Sequence, residues 1–398
     1  MFLLVRSEFI DKRWEGFIAA KFNCNLIGNK NIVTFTPNEN VQNPTKYCKF
    51  AIHQTIPILN ATQIKEIKTL LSEPKKIVIV THWSPDGDAM GSSLGLYNYL
   101  LKKKHSVTVI TPNDYPSFLS WLPGNKKVID FSAKAKPAKI AVAKANIIFC
   151  LDFNSLKRIS DLGLEVAKSK AIKCIIDHHL QPEDFADYML HNVKSSSTCE
   201  LIYDFIDLMG DKKALNKDIA NCLYTGIMTD TGSFRFPSTS SKTHRVVAEL
   251  MEAGAENSAI HNRIYDDNTE DKLRLLGFCL AEKLTVVKEC KTAFFHLRAD
   301  ELRRFNYKKG DTEGLVNYAL SIEGICFAAF FVERDGEVKT SFRSKGDFNV
   351  NLFARKHFNG GGHANAAGGM SDLTLDETII KFVSLLGGYK KELTAKSK

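Results

Sequence analysis

From residue 76 onward the chain alternates short apolar runs with stretches of helical spacing. KIVIVTH (76–82), HSVTVIT (105–111), ANIIFCLD (145–152) and AIKCIID (171–177) are β-branched or near-continuous apolar runs of strand length. Residues 61–71, 91–101 and 155–169 carry helical spacing around and between them. Strands buried on both faces and separated by helices predict an α/β fold with a doubly wound, mostly parallel sheet. From residue 198 to about 284 the spacing is helical throughout, as in IANCLYTGIM (219–228). The pattern then changes: KTAFFHL, ICFAAFFVE and EVKTSFR read as strands, with Asp335 and Gly336 turning a hairpin between the last two. A helix-like NVNLFARKHF, the glycine-rich GGGHANAAGG and a terminal helix near 375–386 follow. The boundary is placed at 285–290, giving a large α/β domain over 58–285 and a smaller α+β domain over 290–390. Residues 1–57 are Asn-rich and broken by Pro37, Pro44 and Pro57, with no convincing strand or helix succession, and are read as an extension. Residues 391–398 are read as a solvated basic tail.

Composition narrows the class without naming a function. The chain has 398 residues, 44% hydrophobic and 25% charged, which excludes disordered, collagen-like and coiled-coil proteins. A net charge of +9 permits an anionic partner. Nine cysteines without a C-x-x-C pair favour reduced thiols, no apolar stretch nears the ~20 residues of a membrane span, and Arg6 and Glu8 interrupt the opening apolar residues. A soluble cytoplasmic protein is expected.

In a parallel sheet the ligand crevice lies beyond the carboxyl ends of the strands. The first predicted strand runs into His82, Asp86 and Asp88, the third ends at Asp152, and the fourth ends at Asp177, His178 and His179. Asp230 ends an apolar helix and can join them. Taken singly, Pro85-Asp86-Gly87-Asp88 is a turn, Asp152 a helix cap and Thr229-Asp230-Thr231-Gly232 a helix stop. The Asp177-His178-His179 triplet is harder to read that way, because two imidazoles and a carboxylate leaving an apolar strand are costly to desolvate without partners. Carboxylates with imidazoles and no thiolate favour Mn²⁺ or Mg²⁺, with Fe²⁺ or Co²⁺ as alternatives, over structural Zn²⁺. Four aspartates and two histidines exceed one ion's needs and suit two ions about 3.5–4 Å apart with a bridging carboxylate. Such a pair activates a bridging water and clamps phosphate oxygens, so phosphoester or phosphoanhydride hydrolysis is the expected reaction. In the second domain Gly360-Gly361-Gly362 can bring backbone N–H groups close to an anion, and His363 adds a donor. Arg343 and Ser344 in SFRS, with Lys345, Arg355 and Lys356, supply positive charge and donors for a terminal phosphate or a base.

Four motifs, HWSPDGDAMGSS (82–93), LDFN (151–154), IDHH (176–179) and TDTGSF (229–234), resemble in order those of the DHH phosphoesterases. The region FRSKGDFNVNLFARKHFNGGGHANAAGG resembles the associated DHHA1 domain. The resemblance spans about residues 60–388 and is closest to short nano-RNA hydrolases that also dephosphorylate 3'-phosphoadenosine 5'-phosphate (pAp). It implies that His82, Asp86 and Asp152 hold one metal and Asp88, Asp152, His178 and Asp230 the second. It further implies that Asp177 orients a neighbouring histidine and that His179 faces the scissile phosphate. Arg343, Ser344, Gly361, Gly362 and His363 are the implied substrate contacts. Ser84 stands where many members carry asparagine.

The expected function is therefore Mn²⁺-dependent hydrolysis of single-stranded oligonucleotides of about two to five units to 5'-mononucleotides, or of pAp to AMP. A cyclic- or linear-dinucleotide phosphodiesterase, a RecJ-like single-strand exonuclease and a non-catalytic nucleotide binder are the competing readings. A homodimer is allowed, and no membrane partner is expected.

Overall fold

The computed structural model describes residues 59–334 and 336–395, together with three short strands before them. Residues 1–57 and 58–398 are separate compact units. In the first, β1 (Leu3–Arg6), β2 (Phe22–Ile27) and β3 (Ile32–Pro37) pair antiparallel in the order β1-β3-β2. The reading of this stretch as lacking strands is corrected here: asparagine, which strands disfavour, fills the alternate positions of FNCNLI and hid the period.

The second unit opens with α1 (Ala61–Leu70), β4 (Lys76–Thr81), α2 (Gly87–Lys102) and β5 (Ser106–Thr111). It continues through β6 (Ile129–Asp130), α3 (Ala135–Lys144), β7 (Ile147–Leu151), α4 (Asp161–Lys168), β8 (Ile172–Asp177) and β9 (Tyr188–His191). The six strands β4–β9 are parallel in the order β6-β5-β4-β7-β8-β9. Alternate residues serve the two faces: Ile77, Ile79, Phe149 and Ile176 enter one core, and Val78, Val80, Ile148 and Ile175 enter the other. That double burial is why these strands read as unbroken apolar runs. Helix α3 and strands β6 and β9 were not predicted. Among its residues α3 buries only Ala138 and Val142 and has Pro137 in its first turn, and β9 is four residues long.

Strand order runs outward from β4 in both directions, so the crevice between β4 and β7 is the switch point of the sheet. The register then sets what lies there. Thr81 pairs with Leu151, and Leu151 with Ile176. The next residue of each strand is therefore level with the other two, which puts His82, Asp152 and Asp177 in one row.

Helices α5 (Thr198–Leu208), α6 (Lys217–Asp230) and α7 (Ser241–Glu252) cover the first core. Helix α2 packs closely on α6, because Gly87, Gly91 and Gly95 present one side of α2 to Thr229, Cys222 and Leu223. A β-carbon on Gly91 would lie 2.5 Å from the Cys222 carbonyl oxygen. This close crossing brings Asp88, in the first turn of α2, to Asp230 at the end of α6.

After α8 (Asn257–His261) and α9 (Glu270–Phe278), the chain forms a second six-stranded sheet of β10 (Thr285–Val287), β11 (Thr292–Leu297), β12 (Phe327–Arg334), β13 (Glu337–Ser344), β14 (Gly361–Gly362) and β15 (Ala366–Ser371). Its order is β10-β11-β12-β13-β15-β14, and only β11 and β12 are parallel. Helices α10 (Ala299–Arg304) and α11 (Leu315–Ser321) cover one face, and α12 (Val350–His357) and α13 (Leu375–Thr394) the other. Phe327, Ala329 and Phe331 alternate with Ala328, Phe330 and Val332 between the two cores. Leu275 of α9 and Cys279 beyond it pack with this second sheet. Asp335, expected in the hairpin turn, lies outside the described residues; Gly336 has φ 81°. The terminal helix extends eight residues past the expected 386, to Thr394, and residues 396–398 of the expected basic tail lie outside the described residues. The seven cysteines from Cys150 to Cys326 are free thiols. Among the described residues no helix is long and apolar enough to cross a membrane.

Gly226 of α6 is the tightest glycine contact among helices α2, α5 and α6, since a β-carbon there would meet Cys199 Sγ at 2.1 Å and Asp88 Oδ1 at 2.9 Å. Gly226→Ala is expected to cost about 1–3 kcal/mol through overpacking. The check is the urea or thermal unfolding midpoint, which should fall; an unchanged midpoint would show that Cys199 of α5 and the start of α2 can move away from α6 freely.

Candidate metal centre

Each side chain of the cluster is delivered by the end of an element. His82 follows β4, Asp86 caps α2, Asp88 sits in its first turn, Asp152 follows β7, Asp177 ends β8 with His178 and His179 after it, and Asp230 ends α6. His82 Nε2 lies 3.4 Å from Asp152 Oδ2 and 3.8 Å from Asp86 Oδ1. His178 Nε2 lies 3.7 Å from Asp88, 3.5 Å from Asp152 Oδ1 and 3.6 Å from Asp230. Besides Asp152-Asp177-His179 and His178-His179-His363, two three-residue donor groups result among the described residues, His82-Asp86-Asp152 and Asp88-His178-Asp230, each with ligand atoms within 4.8 Å of one another. Asp152 reaches both, through its two oxygens.

The local backbone is shaped for this. Asp152 has φ 63°, a left-handed conformation that turns the chain sharply at the strand end, unlike the extended backbone of an ordinary helix cap. Ser84 has φ 54°, the region asparagine tolerates better than serine, and its N–H donates to Asn113 Oδ1 at 2.7 Å. Asp86 Oδ1 accepts the N–H groups of Asp88 and Ala89, which fixes the carboxylate at the start of α2.

The electrostatics are those of a site with surplus negative charge. Burial by itself would depress the His82 imidazole, but hydrogen bonding to Asp152 and Asp86 outweighs it and pushes it up to about 10. His178 is raised in the same way by Asp152 and Asp230 against the pull of burial. Asp152, although burial opposes it, is held well below the usual carboxylate range by His178 and His82. Asp88 goes the other way: burial, then the charges of Asp152 and Asp230, push it well up. Asp230 is pushed up to about 7, first by burial. Carboxylates that keep their neighbours protonated are what bound cations relieve. The donor set, oxygen and imidazole nitrogen without thiolate, fits hard or borderline divalent ions. These residues can therefore hold divalent metal.

His179 belongs to neither of those two groups but borders them, its Nδ1 3.6 Å from Asp152 Oδ1. Its Nδ1 lies 2.7 Å from Asp177 Oδ1, and Asp177 is fully buried. His363 from the glycine-rich segment reaches the same place, its ring stacked on His179 at 4.4 Å and beside His178 at 4.7 Å. Arg343 on β13 is half-buried, donates to Phe342 O at 3.0 Å, and has its charge answered by Asp230, Glu313 and Asp86. The other expected substrate contacts are less open. The Ser344 hydroxyl is buried, donating to Phe348 O at 2.6 Å and accepting from Asn365 at 2.9 Å. In the glycine-rich segment Gly361 and Gly362 form β14, the His363 backbone N–H donates to Ala366 O, and the Gly360 N–H, one of the donors expected for an anion, donates to Ala354 O. A β-carbon on Gly361 would lie 3.9 Å from Arg355 Nε.

Several residues at this site were not read from the sequence. Thr198 and Cys199 at the start of α5 donate backbone N–H groups to Asp88, the Thr198 hydroxyl donates to Asp152, and Ser195 O accepts from His178 Nδ1 at 3.3 Å. Glu313 faces Arg343 from the loop before α11. SSSTCE reads as an ordinary helix start, which gave no signal for the first group.

Residues 76–227 match the model of the DHH family, N-terminal domain, and residues 291–389 match the DHHA1 domain. The chain is 32% identical over 320 residues to a bifunctional oligoribonuclease and PAP phosphatase of Thermus thermophilus, covering 80% of this chain and 90% of the relative. A Bacillus subtilis protein of the same name is 32% identical over 73% of this chain and 88% of its own length. A cyclic-di-AMP phosphodiesterase of Listeria monocytogenes is 23% identical over 88% of this chain and 54% of its own. The crystal structure of an exopolyphosphatase-related protein from Bacteroides fragilis is 40% identical and superposes with a TM-score of 0.81, covering 84% of this chain and 98% of that one.

Divalent cations that bind only the native cluster should stabilise it by about 2.7 kcal/mol at a hundredfold excess over Kd. After chelation, addition of Mn²⁺ is expected to raise the thermal midpoint by several degrees, and Asp152→Asn to abolish the rise. An unshifted midpoint in the unsubstituted protein would contradict a metal centre here.

Proposed function

The chain belongs to the DHH family of phosphoesterases, and from that premise we propose that it hydrolyses short oligoribonucleotides to 5'-mononucleotides and pAp to AMP, using two divalent metal ions, preferably Mn²⁺. The observation that carries the reading is the carboxylate of Asp152, which reaches both donor groups of the cluster. His82, Asp86 and Asp152 would hold one ion, and Asp88, Asp152, His178 and Asp230 would hold the other. When bound, such a pair supplies a water of lowered pKa and neutralises the non-bridging oxygens of a phosphoester.

The remaining chemistry falls to side chains of the protein. Asp177 accepts from His179 Nδ1, which leaves Nε2 free to face the scissile group. Burial lowers the His179 imidazole and Asp177 partly restores it. An arriving phosphate adds negative charge and favours the imidazolium, which then stabilises or protonates the leaving oxygen. Arg343 and His363 come from the second sheet region and engage the nucleotide and its other phosphate, while Ser344 and Asn365 hold the loop between them. A substrate gripped from that side while its phosphoester lies on the metals must be short. The similarity to the two relatives named as oligoribonuclease and PAP phosphatase supports this substrate class. The weaker similarity to a cyclic-di-AMP phosphodiesterase supports a second reading, in which linear or cyclic dinucleotides are cleaved by the same centre.

The test is turnover of 5'-labelled RNA dinucleotides to pentamers, a 24-mer, pAp and cyclic di-AMP with Mn²⁺. Short oligonucleotides and pAp are expected to be hydrolysed, the 24-mer poorly. His179→Ala should lower kcat about 10²–10⁴-fold. Arg343→Ala should act mainly on KM. No turnover of either preferred substrate would overturn the proposal, and faster cleavage of cyclic di-AMP would favour the second reading.

A further inference from the structure

The segment from Ser195 to Glu200 contacts three of the six side chains assigned to metal, although it contributes none itself. Both oxygens of Asp88 are taken by its backbone, Oδ2 by the Thr198 N–H at 2.6 Å and Oδ1 by the Cys199 N–H at 2.8 Å. The Ser195 carbonyl orients the His178 ring through Nδ1. The Thr198 hydroxyl donates to Asp152 Oδ1 at 2.9 Å, the oxygen that faces His178 and His179, while Oδ2 faces His82. Thr198 is fully buried, so water does not replace that hydrogen bond.

The segment is held from behind by a second buried carboxylate. Glu200 Oε2 accepts from the Ser196 hydroxyl at 2.5 Å and from Thr243 at 2.9 Å, and Oε1 pairs with Lys242 at 3.4 Å. Ser195, Ser196, Ser197, Thr198 and Glu200 are all at most 4% exposed. These bonds hold the backbone around Thr198, whose hydroxyl is directed to Asp152 and whose N–H is directed to Asp88.

We propose that Thr198 is a positioning residue for the metal centre: its hydroxyl fixes the rotation of the Asp152 carboxylate so that one oxygen is presented to each ion. This rests on the dinuclear reading above. Ligand carboxylates are themselves oriented by outer hydrogen bonds, and losing one such partner costs about 10–100-fold in metal affinity or activity. Thr198→Val keeps the volume and removes the donor, and Thr198→Ser keeps the donor and removes the methyl group. In both, the backbone N–H bonds to Asp88 persist, so any difference between them reports on Asp152.

The experiment is Mn²⁺ titration of the chelator-stripped full chain, read as free Mn²⁺ by electron paramagnetic resonance, with the unfolding midpoint measured in chelator as the check on folding. Thr198→Val is expected to weaken Mn²⁺ binding about 10–100-fold with little change of midpoint, and Thr198→Ser to stay within about threefold of the unsubstituted protein. Thr198→Ala makes the same prediction as the valine variant if that one fails to fold. Binding by Thr198→Val equal to or tighter than the unsubstituted protein, or equal weakening by valine and serine, would overturn the positioning role and leave the dinuclear reading standing. Failure of the unsubstituted protein to bind two ions would overturn both.

Discussion

Asp152 is a carboxylate buried at the end of a central strand, with three imidazoles, His82, His178 and His179, as its ion-pair partners. Desolvating a charge costs several kcal/mol unless it is paired and hydrogen-bonded. The rest of the site is arranged around meeting that cost. The strand register brings His82 and Asp177 level with it, the left-handed backbone at Asp152 aims it inward, and Thr198 satisfies one of its oxygens. Yet the compensation overshoots: with Asp86, Asp88 and Asp230 added, carboxylates outnumber the imidazoles that can balance them, and Asp88 and Asp230 are driven toward their neutral forms. A protein that gathers such a set at its switch-point crevice has a place for cations.

The two sheets divide the work. The parallel sheet is buried on both faces, and α2 and α6 on one of its faces are joined by glycine contacts that leave no room for a β-carbon, which suits a centre whose donor atoms must be held closely in place. The mixed sheet brings residues of another character, Arg343 and His363, to the same crevice, where the His363 ring lies on His179. The positive charge of Arg343 therefore answers the carboxylate cluster, while burial keeps the His363 imidazole toward its neutral form.

Much of this was legible in the sequence, for a physical reason. Unbroken apolar runs of strand length, rich in isoleucine and valine and separated by helical spacing, read as strands buried on both faces of a parallel sheet, and the ligand crevice lies beyond the carboxyl ends of such strands, so His82, Asp152 and the Asp177-His178-His179 triplet could be assigned to one edge from the sequence. What escaped was of two kinds. Elements with little apolar signal, such as α3 and the asparagine-laced β2, gave no period to detect. Thr198, Ser195 and Glu200 act through hydrogen bonds to residues 46, 17 and 43 positions away, and serine, threonine and glutamate at a helix start have a sufficient local role. The glycine-rich segment was read as an open cradle of N–H groups, whereas strand pairing and the Ala354 carbonyl occupy part of it.

The central claim is that one crevice holds two ions sharing Asp152. Anomalous diffraction at the manganese edge from crystals grown with Mn²⁺ tests it most directly. The account predicts two peaks about 3.5–4 Å apart, one contacting His82, Asp86 and Asp152 and the other Asp88, Asp152, His178 and Asp230. A single peak, or two that do not share Asp152, would contradict it.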